Sequence, residues 1–85
     1  MKHAGEQALD ALEDLLRALR KHEGLRERKR GAFYQKSAGL LHFHEDPAGL
    51  FADLKVDGEW RRFPVNSTAE RKALLAKLAA LARDG

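Results

Sequence analysis

Cysteine and isoleucine are both absent from this 85-residue chain, and it holds only two prolines, one tryptophan and one tyrosine. Without cysteine there is no disulfide scaffold, no thiol nucleophile and no cysteine-ligated zinc or iron–sulfur site. A reducing compartment, the cytoplasm by default, is the expectation. No apolar run approaches the about 18 residues a membrane helix needs, and the N-terminus lacks a basic segment followed by an apolar core, so neither membrane insertion nor targeting is expected. A phosphate-cradling glycine loop and a nucleophile elbow are missing as well, and no pair of carboxylates is set apart as acid and base. The expectation is therefore a protein that is not an enzyme and carries no cofactor. A chain this short hides only about 60 to 65% of its extended surface on folding, which allows one modest core and a single domain over residues 1–85.

What is present is charge and leucine. Charged residues make up 34% of the chain, with 16 lysines and arginines against 13 acidic residues. The excess is concentrated: residues 25–36 hold five basic groups and one acidic, most of them in the run Arg26-Glu27-Arg28-Lys29-Arg30. Two readings stand side by side, a solvated loop or edge and a basic patch of Arg26, Arg28, Lys29 and Arg30 that meets an anionic ligand or nucleic acid.

Helical periodicity marks both ends. From Glu6 to Glu23, Leu9, Leu12, Leu16 and Leu19 recur at steps of three and four, with acidic groups early, basic groups late and Gly24 as the stop. Ser67-Thr68-Ala69-Glu70 reads as a capping box opening a second helix, whose stripe is Leu74, Leu75, Leu78, Leu81 and Ala82. Ser67 is thereby a cap rather than a nucleophile.

Between them, Ser37-Ala38-Gly39, Asp46-Pro47-Ala48-Gly49 and Asp57-Gly58 are turn signals. They divide the middle into four antiparallel strands at roughly 31–36, 40–45, 50–56 and 59–65, although Val56 and Val65 are its only β-branched residues. A two-residue hairpin at Asp57-Gly58 puts Leu54 opposite Arg61, Asp53 opposite Arg62, Ala52 opposite Phe63 and Leu50 opposite Val65. A four-residue loop at 46–49 brings Phe43 and Leu41 onto the same face, and a three-residue turn at 37–39 brings Phe33. The expected fold is a two-layer α+β sandwich of order α-β-β-β-β-α, with both helices on the apolar face of the meander.

The opposite face then carries Tyr34, His42, Asp53 and Arg62 in one row. Beside it run a row of Ala32, His44, Phe51 and Pro64 and another of Lys36, Leu40, Lys55 and Trp60. Flat rings among cations suit stacking and phosphate contact. The same face also suits burial against a second copy of the chain, as a homodimer, or an ordinary exposed surface held by pairs such as Asp53 with Arg62. His42 and His44 project to the same side and can share one metal ion, with Asp53 as the candidate third ligand. In this register Glu45 points away, His3 belongs to a frayed end, and His22 lies near the end of the first helix.

The segments Lys29-Arg30-Gly31-Ala32-Phe33-Tyr34, Leu41-His42-Phe43-His44-Glu45-Asp46-Pro47-Ala48-Gly49-Leu50-Phe51-Ala52-Asp53 and Arg62-Phe63-Pro64-Val65 resemble a family of small bacterial proteins to which no activity is attached. The resemblance spans roughly residues 24–82 and implies a self-contained domain. A fainter similarity joins Leu54 to Glu59, and Ser67 to Ala73, with the second hairpin and final helix of double-stranded RNA-binding domains. Where those domains place a lysine cluster, however, this chain matches with Arg71 and Lys72 alone, and Glu70 intervenes. The chain is thus expected to bind or self-associate through the free sheet face, with a metal site at His42, His44 and Asp53 or a nucleic-acid surface as alternatives.

Overall fold

The structure is a computed structural model that describes residues 2–84. It is an α+β fold in which helices cover one face of an open antiparallel sheet. The elements are β1 (Lys2–His3), α1 (Glu6–Ala11), α2 (Glu13–Arg20), β2 (Leu25–Lys29), β3 (Ala32–Gln35), β4 (Ala38–Asp46), β5 (Gly49–Val56), β6 (Glu59–Pro64) and α3 (Thr68–Asp84). Strands β2 to β6 lie side by side in chain order, and β1 pairs with the far end of β4.

The single N-terminal helix expected over 6–23 is two short helices that break at Leu12, whose backbone leaves the helical region at φ −100°, ψ 9°. Leu12 is nonetheless fully buried, so the apolar stripe survives the break. Leu9, Leu12, Leu16 and Leu19 pack with Phe33, Leu41, Phe43, Ala52 and Leu54 of the sheet, and Leu74 and Leu78 of α3 close the same cluster. Ala82, the last member of the expected stripe, lies outside the described side chains. The capping box forms as anticipated: Glu70 N donates to Ser67 Oγ at 3.1 Å, while Glu70 Oε1 accepts from the backbone of Asn66 and Ser67.

The expected count of four strands is too low. Residues 25–29 form a fifth strand on the edge beyond β3, with Arg26 opposite Tyr34 and Glu27 opposite Phe33. Charge holds this strand in place. Glu27 faces the helices, accepting from Arg20 of α2 and from the backbone of Gly31. Arg30 is ion-paired with Glu6, Asp10 and Glu13. The basic run is therefore an edge strand, one of the two readings of it, and Arg30, a candidate for the anion-binding patch, is already surrounded by three carboxylates. Gly31 makes the approach possible: at φ +81°, a Cβ there would meet Leu9 Cδ2 at 2.6 Å.

Register is as expected between β5 and β6 and between β4 and β5, where His42 faces Asp53 and Asp53 faces Arg62. Asp57 and Gly58 take the positive φ values that their hairpin demands. The 46–49 connection is tighter than the loop expected, because Asp46 pairs directly with Gly49.

Between β3 and β4 the register departs from expectation. Lys36 adopts φ +58° in a turn that pairs Gln35 with Ala38, so Lys36 leaves the sheet row assigned to it. Phe33 then faces Leu41 while Tyr34 faces Gly39, which leaves Leu40 as an extra residue on β4. This bulge turns Leu40 toward the core instead of the outer face. It also places Tyr34 beside Gly39 rather than His42. Gly39 lies against both rings: a Cβ there would stand 3.7 Å from Tyr34 and 4.0 Å from Trp60, ordinary contact distances.

Candidate metal centre on the outer sheet face

His42 and His44 are two residues apart on β4, so the pleat turns both to the outer face. The third histidine comes from a place the sequence reading set aside. His3 is ordered in β1, directly opposite His44, at the position beside His44 that had been assigned to Ala32. The reason is that β3 begins only at Ala32 and pairs no farther along β4 than Leu41, which leaves the neighbouring length of that edge to β1. Three contacts pin the short strand: Ala4 N donates to Phe43 O at 3.0 Å, Gly5 N donates to Glu45 Oε2 at 2.7 Å, and Lys2 lies 3.7 Å from Glu45. Glu45, pointed away from the histidines as expected, serves as the anchor of the strand that delivers the third one.

The result is a cluster of three of the chain's four histidines. Ring centroids are 4.6 Å apart for His3 and His44, 5.0 Å for His42 and His44, and 5.7 Å for His3 and His42. One nitrogen from each ring lies within 4.8 Å of the other two. Ligand nitrogens on a tetrahedral zinc stand about 3.3 Å apart, given zinc–nitrogen bonds of about 2.0 to 2.1 Å. Small rotations about χ1 and χ2 span that difference.

Asp53 lies beside His44 but is not one of the three clustered groups, and its carboxylate is engaged by Arg62. Arg62 donates from Nε to Asp53 Oδ1 at 2.9 Å and from Nη2 to Oδ2 at 3.1 Å, a two-pronged pair that uses both oxygens. Oδ2 is also 3.0 Å from His44 Nδ1, but outside the angle that an N–H···O bond requires. The Nδ1 atoms of His42 and His44 are buried and have no hydrogen-bond partner among the described residues. Unpaired buried nitrogens are uncommon in folded proteins because each has given up water for nothing. Asp53 thus stands beside His44 without a hydrogen bond to it, its charge shared with Arg62.

Burial sets the protonation state. It pushes the pKa values of both His42 and His44 below the usual value of 6.5; the neighbouring imidazoles add to the effect, and Asp53 opposes it. The Arg62 guanidinium holds the Asp53 carboxyl below its usual 3.8. At neutral pH His42 and His44 are thus neutral rings beside an ionised carboxylate, the form in which histidine ligates metals.

A pH dependence follows for the metal-free protein. With folded pKa values below 6.5, the unfolded chain binds protons that the folded chain does not, so these histidines contribute stability above about pH 6.5 that is lost as pH falls through their folded values. Asp53 adds a loss only at lower pH, below about 3.8. Urea unfolding midpoints should therefore be lower at pH 5.5 than at pH 7.5. A midpoint that is equal or higher at pH 5.5 contradicts this burial-driven shift.

The other expected face residues surround this cluster. The Trp60 ring lies 4.6 Å from His42, tilted 49° to it, with the Lys55 ammonium 5.5 Å from the Trp60 ring centre, and Phe51 lies between His44 and Pro64 across the strands. Arg28 covers the Tyr34 ring at 4.9 Å. Arg71, one of the two residues behind the similarity to RNA-binding domains, donates to Val65 O at 2.8 Å. Among the described residues, no helix is long and apolar enough to cross a membrane. Sequence reasoning missed His3 because a two-residue strand has no periodicity; the available signal was that histidine is scarce and one copy falls just before the first helix. No protein-family model, curated protein or solved structure matches the chain.

Proposed function

We propose that this chain is a non-enzymatic binding protein that holds a divalent transition metal on its outer sheet face, with His3, His42 and His44 as ligands. The observation that carries this reading is the convergence of three imidazoles, two with buried and unpartnered nitrogens. Three neutral nitrogen donors suit zinc, copper, nickel or iron, and they exclude a preference for calcium or magnesium, which favour oxygen. Arg62 does not repel the ion strongly, because Asp53 lies between it and the cluster and neutralises it. This differs from the ligand set read from the sequence, in which Asp53 was the third donor: here His3 takes that place and Asp53 stands beside His44.

Calorimetric titration with zinc at pH 7.5 tests the reading. The expected result is uptake of close to one ion per chain, weakened at least about tenfold in His3→Ala and in His42→Ala, with Asp53→Asn also lowering affinity because it leaves the Arg62 charge uncompensated near the cluster. Absence of heat in the unsubstituted protein, or equal affinity in His3→Ala, contradicts it.

A second reading is favoured by Trp60, the large hydrophobic residue left 46% exposed. An aromatic beside the histidines is a natural contact for a second copy of the chain, giving the homodimer anticipated from the sequence. Sedimentation at micromolar concentration should show a dimer that Trp60→Asp converts to a monomer. A concentration-independent monomer contradicts the dimer and leaves the metal reading intact.

A further inference from the structure

Beside the histidines, the sheet has a notch. Strand β4 is flanked by β1 along Glu45 and His44, and by β3 from Leu41 onward, so at His42 and Phe43 its edge lies between the end of one strand and the start of the other. A cleft of about 420 Å³ occupies this position, and its lining includes His3, His42, Lys29, Arg30 and Tyr34. That volume lies within the range of small-molecule sites. The lining contains two cations and no acidic residue. Arg30 has its guanidinium against Glu6, Asp10 and Glu13, so Lys29 is the cation that remains for a guest.

We infer that this cleft binds the oxyanion of a small molecule, a carboxylate or a phosphate, between the metal held by the histidines and the ammonium of Lys29. The inference rests on the metal reading above and adds to it the ligand class. Three imidazoles are neutral donors, so a divalent ion keeps its full double positive charge, and a site with three protein ligands leaves a coordination position for an outside group. An anion is the species that such an ion and a lysine both attract. The apolar floor, which includes Ala4, Leu9 and Phe43, limits water on the side away from the charges and has room for the carbon skeleton of a small acid. Tyr34 adds an amphipathic ring at the rim.

Cobalt(II) in place of zinc gives a direct readout, because its visible spectrum reports the coordination geometry. The protein is loaded with cobalt and titrated with acetate and, separately, with inorganic phosphate at pH 7.5 and fixed ionic strength. The expected result is a saturable spectral change with at least one of the two, and a half-saturation concentration at least about tenfold higher in Lys29→Glu, the weight of one charge-assisted hydrogen bond. The acetate and phosphate arms separate a carboxylate guest from a phosphate guest. A cobalt spectrum that neither anion alters, or a Lys29→Glu protein that titrates like the unsubstituted one, overturns the cleft assignment while the metal site stands. Failure of cobalt to bind at all overturns both.

Discussion

Zinc at a free concentration a thousandfold above its dissociation constant should raise the unfolding free energy of this protein by about 4 kcal/mol, since a ligand that binds only the folded chain stabilises it by mass action. For an 85-residue domain, whose total stability is about 4 to 13 kcal/mol, this is a large fraction. The effect keeps its full size only if the unfolded chain does not bind the ion, and the assembly of the site ensures this. His3 is separated from His42 by nearly half the chain, and only the folded register of β1 on β4 brings it opposite His44. The unfolded chain keeps His42 and His44 near each other but loses the third ligand, so its affinity is far lower. Chemical unfolding with and without zinc measures the difference. His3→Ala should remove most of the gain while leaving the metal-free midpoint nearly unchanged, because His3 is exposed and contributes little to the core. A gain of the same size in His3→Ala would show that the ion binds elsewhere.

Phe33→Ala should cost about 3 to 5 kcal/mol, the range for removing a buried aromatic side chain without refilling the space. Phe33 is 1% exposed and lies on β3 with Leu41 opposite and leucines from the N-terminal helices above it. It joins the edge of the sheet to the helical layer at the point where β2 is held mainly by charge. Its loss should therefore loosen β2 as well, and amides of residues 25–29 should exchange faster with solvent than those of β5. A loss below about 1 kcal/mol, measured by urea unfolding, would show that the helices do not seat on β3 as described.

The parts of this fold that could be read from sequence are those with short-range rules. Asp57-Gly58 fixes a hairpin, the hairpin fixes the pairing of β5 with β6, and alternation carries the pattern back through β4, so the facing of His42, Asp53 and Arg62 was legible. The capping box at Ser67 and Glu70 was legible for the same reason, because all its partners lie within four residues. Three features follow other physics. Strand β2 consists of a leucine followed by four charged residues; nothing in it favours a strand locally, and it is held by Arg20 reaching Glu27 from a different element. Charged edge strands of this kind also discourage pairing with other chains. The bulge at Leu40 inserts one residue and leaves no compositional mark, yet it decides that Tyr34 meets Gly39 rather than His42. The pairing of His3 with His44 joins residues 41 apart in sequence, and the anchors that enforce it, Glu45 and the backbone of Phe43, are as distant.

These same three features bear on the candidate site. Two of its ligands were visible as a pair of histidines at strand spacing, and the carboxylate beside them was visible from register. The histidine that completes the cluster depends on long-range pairing, as does the notch that Lys29 lines together with His3 and His42. In this chain the local pattern built the sheet, and distant contacts placed the chemistry on it.

The most direct measurement of the central claim is X-ray absorption at the zinc edge on protein loaded with one equivalent of metal. Three imidazole nitrogens at about 2.0 to 2.1 Å, one of them lost in His3→Ala, is the result expected of a site built by His3, His42 and His44. A first shell of oxygens, or a spectrum that His3→Ala leaves unchanged, would contradict it.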